Sequence, residues 1–315
     1  MADVGPDFNG ASDRGQLLLV TALALAVMLV TVALLLNTAI FTENVATRDT
    51  TADGREAIEL RGEAVDSVGT LIETENRGGG GDTGDVEAAV DAMGPLVDRE
   101  HARHGAIATL SRNGSATAGQ LLRWTSPDTA RPFDDPGTDW TLVDSLGESR
   151  AFTLELTDIG SLSDPSDTEI ENQAFGVRFV DGSAENRTLY LYEDGDHIIV
   201  ERANETVPPS QQCVVDTDGG STTVDLSGDR LSTADATVDC YRGLWPNDNP
   251  EAIEFRNGDA ADGTFSLVVD DGASPTGDTN VRDDDAVYAV TVDVGYRSQE
   301  LAFETTVRVA PGEPR

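Results

Sequence analysis

Residues 288–309 read YAVTVDVGYRSQELAFETTVRV, and their rhythm decides how most of the chain is read. Tyr288, Val290, Val292, Val294 and Tyr296 alternate with smaller or polar residues. After a short polar turn, Leu301, Phe303, Thr305, Val307 and Val309 do the same. A period of two puts one set of side chains on one face of a strand, so the stretch predicts a hairpin with one buried face. A second hairpin is expected at Thr188–Tyr192 and Ile198–Val200, with Asp194-Gly195 as its tight turn. Shorter strands are expected near 150–157, 174–180, 222–226 and 263–269, between Asp, Gly, Pro and Ser clusters that read as loops. Residues 105–315 are therefore expected to form an antiparallel, β-rich, acidic unit. No period of roughly 20 to 50 residues indicates repeats.

Upstream the beat changes to helical. Val86, Ala89, Val90, Met93, Leu96 and Val97 follow i, i+3, i+4, i+7 spacing and predict a helix from about Asp85 to Arg103. Pro95 falls inside it, where proline kinks or ends a helix. Before it, Ile58, Val65 and Ile72 recur every seven residues with Val68 and Leu71 alongside, a narrow apolar stripe weakened by Gly54, Gly62 and Gly69. Residues 42–104 are expected to be a helical stalk or hairpin with a glycine-rich break at 77–84.

From Leu17 to Phe41 the chain reads LLLVTALALAVMLVTVALLLNTAIF, without a charge. As a helix it would rise about 37 Å, against a hydrocarbon core of about 30 Å. A cleaved secretory signal has a basic start and a shorter apolar core. Here Asp3, Asp7 and Asp13 precede Arg14. The expectation is an acidic tail at 1–13 and a transmembrane helix at 14–41. The fold class expected is thus α+β: a long N-terminal transmembrane helix extending into a helical hairpin, followed by an antiparallel β-rich ectodomain. That arrangement implies a single-pass protein of the cell membrane with the lipid bilayer as a partner. Arg48, Arg55 and Arg61 outnumber Arg14 across the span, so arginine counting favours the opposite orientation, but long domains translocate regardless of charge. The acceptor sequons at Asn113, Asn186 and Asn204 argue for an extracellular ectodomain.

The charge balance is extreme. There are 58 acidic residues against 21 basic ones, all arginine, for a net charge of −37. Such a surface suits concentrated salt, where the Debye length falls to about 3 Å at 1 M. In dilute buffer its self-repulsion works against the fold. Nucleic acid is excluded as a partner, because phosphate binding needs clustered Lys and Arg. The two cysteines, Cys213 and Cys240, fit either one disulfide or two buried thiols. If bridged, the loop would add roughly 3–4 kcal/mol in the chain-entropy model.

Chemistry is poorly marked. His101 and His104 follow Glu100 at a helix end, but a zinc site needs three protein ligands. They read as surface histidines against the helix's partial negative charge. Aspartates cluster at Asp216/Asp218, Asp270/Asp271 and Asp283–Asp285, without the glycine and glutamate of a twelve-residue calcium loop. Nucleophile elbow, P-loop and dinucleotide turn are all missing. No catalytic residue, metal ligand or cofactor is expected, and the chain reads as non-enzymatic.

Arg14-Gly15-Gln16 ahead of the apolar run, Asn37-Thr38-Ala39-Ile40-Phe41-Thr42-Glu43-Asn44 after it, and Thr305–Pro311 near the end carry a resemblance. The chain resembles a family of uncharacterised haloarchaeal membrane proteins, similar in layout to type IV pilins and minor pilins. The resemblance implies a cell-surface structural or assembly protein whose N-terminal helix anchors it and packs against other pilin-like subunits. It also implies processing between Gly15 and Gln16. Cleavage there would put Val20, not the glutamate usual in pilins, at the fifth position. The alternative is a permanently anchored receptor or adhesin that binds a ligand or cation through its acidic loops.

Overall fold

The computed structural model describes residues 28, 54–124, 131–133, 138–159, 167–182, 186–204, 206–216, 220–240, 243–246, 249–276 and 280–314. Two helices come first: α1, helical throughout 54–78, and α2 (Thr83–Ala102). The link is four residues long. Gly81 has φ +55, and a Cβ there would overlap the Asp285 carbonyl, so only glycine lets this turn approach the sheet so closely. Asp82 then caps α2, its carboxylate accepting from Gly84 N at 2.7 Å.

The strands divide between two antiparallel sheets. β1 (Ile107–Arg112), β2 (Thr117–Trp124) and β3 (Arg131–Pro132) begin the larger sheet, and β4 (Trp140–Asp144) opens the smaller. β5 (Ser149–Ile159) returns to the larger sheet. A short helix, α3 (Asp167–Gln173), precedes β6 (Phe175–Val180), β7 (Arg187–Asp194), β8 (His197–Asn204) and β9 (Val207–Asp216), a meander in the smaller sheet. β10 (Thr222–Asp225), β11 (Arg230–Ser232) and β12 (Thr237–Asp239) extend the larger sheet, and β13 (Ala252–Arg256) inserts into the smaller. β14 (Ala261–Asp270) lies in the larger and β15 (Ser274–Pro275) in the smaller. The hairpin β16 (Val281–Arg297) and β17 (Ala302–Val309) completes the larger sheet. The strand order is β1-β16-β2-β14-β5-β10-β11-β12, with β17 on β16 and β3 on β14, against β15-β4-β13-β6-β7-β8-β9.

The sheets face each other over an apolar core. Phe133 lies at its centre, stacked on Trp124 at 5.7 Å and on Phe175 at 5.1 Å, with Trp140 Nε1 donating to its carbonyl at 2.7 Å. Such ring pairs add about 0.5–1.5 kcal/mol each beyond area burial. Alternation explains the arrangement: Phe175, Val177 and Phe179 of β6 point inward, while Gly176 and Arg178 face out.

A second core lies beyond the sandwich. β16 is long enough to serve both: residues 281–289 pair with β2, whereas 290–297 pair with β17 and 292–297 with β1. The helices cover one face of this β1-β16-β17 platform. Ala57, Leu60, Ala64, Val68 and Ile72 of α1 and Val86 and Val90 of α2 bury against Val290, Val292, Val294 and Val309. The stripe departs from the seven-residue beat read in the sequence. Ile58 is 69% exposed, and the neighbouring alanines face the sheet, because a helix seated on a flat platform buries small residues at 3.6-residue spacing. α2 also runs on through Pro95 rather than ending there.

The α+β class headed by a long N-terminal transmembrane helix is corrected by this architecture. The described chain is chiefly antiparallel β-sheet, and no helix among the described residues is long and apolar enough to cross a membrane. The physical reason lies in the helices themselves, which carry one apolar stripe and expose Arg55, Glu59, Arg61, Glu63 and Asp66 on the remaining surface. The single-pass cell-membrane localisation is corrected with it. The stretch 14–41, on which that expectation rested, lies outside the described residues.

Candidate functional site

The junction between platform and sandwich is fixed by two buried side chains that serve backbone groups. Asn76, at the C-terminal end of α1 and 5% exposed, donates from Nδ2 to the Val287 carbonyl at 3.0 Å. Its Oδ1 accepts from Val287 N at 2.8 Å. Val287 sits beside the β-bulge of β16, three residues before β17 begins to pair. The Asn76 amide thus serves there as a surrogate strand for two buried backbone groups.

Arg150 completes the junction. Only 1% exposed, it donates from Nε to Tyr288 O at 2.9 Å, from Nη2 to Val287 O at 2.8 Å and from Nη1 to Pro311 O at 2.7 Å. Burial pulls its pKa down to about 10, which leaves it charged at neutral pH. Tyr288 has two guanidinium groups near its ring, Arg150 at 5.6 Å and Arg308 at 5.4 Å. Burial pushes the Tyr288 phenol well above its ordinary range, and Glu313 and Glu148 add to that shift. Arg308 bridges those same carboxylates, at 2.6 Å to Glu148 and 2.5 Å to Glu313. Neither Asn76 nor Arg150 was signalled by the sequence. Asn76 before a glycine run reads as an ordinary helix end, and Arg150 is one arginine among 21.

Of the residues singled out from the sequence, Cys213 and Cys240 are joined by a disulfide with Cα atoms 4.7 Å apart. The bond ties β9 of the smaller sheet to the residue after β12 of the larger. The sequon asparagines differ in their surroundings. Asn113 donates to both carboxylate oxygens of Asp293 at 3.0 Å. Asn186 accepts from Asp181 N at 3.1 Å, and the Thr188 of its sequon is buried and hydrogen-bonded to Tyr190. Asn204 accepts from Thr206 N, Thr206 Oγ1 and Val207 N in the β8–β9 turn. Gly15 and Gln16 lie outside the described residues.

Of the clustered aspartates, Asp218 lies outside the described residues, and Asp270 and Asp284 are engaged locally. Asp270 accepts from the backbone of Gly147, Glu148 and Gly272, and Asp284 pairs with Arg123 and Arg282. Among the described residues no group of three or more His, Cys, Asp or Glu is gathered as a metal would need. His101 Nδ1 lies 3.1 Å from Val97 O and His104 Nδ1 3.2 Å from Glu100 O, both engaged with carbonyls in the last turns of α2.

A polar groove of about 540 Å³ opens on the outer face of the smaller sheet, beside α3. Arg256 donates to Asp139 and to Glu254, both at 2.9 Å, and Arg178 reaches the same Glu254 oxygen at 3.1 Å. Asn257, in the left-handed region at φ 47, donates to Ala174 O at 2.8 Å and Glu171 O at 3.3 Å. Gly176 lies beneath the groove's side chains, where a Cβ would come within 3.0 Å of Arg256 and 3.3 Å of Thr188.

Residues 11–139 match the model of a family of unknown function (DUF7261). The matched segment includes α1, α2 and the first strands of the larger sheet, so the similarity covers the platform's helices and stops near the start of the sandwich's second layer. Curated proteins gave no match.

Proposed function

We propose that this chain is a structural or assembly subunit of pilin-like type, related to the haloarchaeal proteins its sequence resembles, and without enzymatic activity. The observation that carries the reading is the platform: an N-terminal helix laid by one apolar stripe on an antiparallel sheet, with a separate β-sandwich beyond it. The apolar stretch Leu17–Phe41, outside the described residues, is the segment assigned to packing against other subunits, where the small residues Ala22, Ala24 and Ala26 allow close approach. The inter-sheet disulfide fits an oxidising setting, as a subunit working outside the cytoplasm meets. The acidic surface suits concentrated salt.

The test is the N-terminal sequence and intact mass of native protein prepared at high salt, together with its distribution after shearing. A start at Gln16 and recovery in a sheared filament fraction are expected. A start at Met1 or Ala2, with the protein absent from that fraction, overturns the reading.

A further inference from the structure

The geometry points to a binding site for a neutral saccharide in the polar groove beside α3, formed by planar side chains of β6, β7, β8 and β13. The groove's size falls within the roughly 300–1,000 Å³ of small-ligand sites. Its chemistry then narrows the ligand. In a chain of net charge −37, this is a place where charge is nearly cancelled: Arg178 and Arg256 share Glu254, and Arg256 also holds Asp139. A strongly charged ligand would have to break those pairs, whereas a neutral one meets them as they stand.

The amides are aimed by their own hydrogen bonds. Asn204 Oδ1 is occupied by three donors of the β8–β9 turn, so its Nδ2 is left as a donor to the groove. Asn257 is the converse: its Nδ2 serves two carbonyls, and its Oδ1 is left as an acceptor. Guanidinium, carboxylate and amide groups each offer two adjacent polar atoms in a plane, a match for the vicinal hydroxyls of a sugar, which both donate and accept. Tyr190 is buried, so little ring surface is available for stacking and affinity falls in the millimolar range, about 1–10 mM.

This site is independent of the subunit role proposed above. The probes are D-glucose, D-galactose, D-mannose and N-acetyl-D-glucosamine, each titrated against the full-length protein in concentrated KCl, with saturation-transfer NMR and calorimetry as readouts. At least one of them is expected to bind saturably. Arg178→Ala and Asn172→Ala, the latter an exposed residue of α3 on the groove's rim, are each expected to weaken it at least about fivefold. Asn113→Ala, which lines no part of the groove, should bind as the wild type does. Thermal melts of each variant separate lost binding from lost fold; Thr188→Val replaces any variant that melts early. Absence of saturable binding by all four sugars overturns the assignment. So does wild-type affinity in both groove variants, or tighter binding of inorganic sulfate than of any sugar.

Discussion

Replacing Asn76 by alanine should loosen the helices from the molecule while leaving the sandwich nearly intact. The side chain makes two buried hydrogen bonds to Val287, at 3.0 and 2.8 Å. Each is worth about 1 kcal/mol net. Alanine also strands the Val287 N–H, at a further 1–3 kcal/mol or so. The Val287 carbonyl keeps Arg150 and adds nothing to that loss. The sum is about 3–5 kcal/mol, a large part of the roughly 5–15 kcal/mol that holds a domain together. The assay follows from where the reporters sit. All three tryptophans, Trp124, Trp140 and Trp245, belong to the core between the sheets, whereas α1 and α2 pack on the platform. In urea at constant high KCl, the helical circular-dichroism midpoint should fall by the full amount and the tryptophan-fluorescence midpoint by much less. If both midpoints shift equally, or neither moves by more than about 0.5 kcal/mol, Asn76 does not act as the junction's surrogate strand.

The disulfide gives a complementary result. Cys213 and Cys240 are 27 residues apart, and closing that loop stabilises by about 3.6 kcal/mol in the chain-entropy model. Cys213→Ser with Cys240→Ser should lower the tryptophan-reported stability by about that much; a change below about 1 kcal/mol would count against the inter-sheet role. Alkaline pH tests the buried phenols. Burial raises the pKa of Tyr190, Tyr192 and Tyr288 above the unfolded value near 10. Their contribution is therefore complete below pH 10 and is lost as pH climbs toward the folded values. Tyrosinate absorbance should develop late for these three and together with unfolding. Smooth titration near pH 10 of every tyrosine in the folded protein would refute that.

The alternation in 288–309 was enough to read the β16–β17 hairpin, and Asp194-Gly195 enough to read the turn between β7 and β8, because both depend on local period and turn chemistry. Composition likewise carries the acidic net charge, which is a sum over residues and needs no fold. The helical segments were legible, but not which side of α1 is buried. Ile58 belongs to the apolar stripe by type yet faces solvent, since the flat platform selects Ala57, Leu60 and Ala64 instead. The expected class failed for a related reason: hydropathy ranked the apolar run first, while the described residues are organised by pairing between strands far apart in sequence. Asn76 meets Val287 across 211 positions, Arg150 reaches Val287 across 137, and the groove gathers residues from Asp139 to Asn257. No local signal encodes such meetings. They exist because the sheet order carries β16 from one core into the other and leaves buried backbone groups that distant side chains must satisfy.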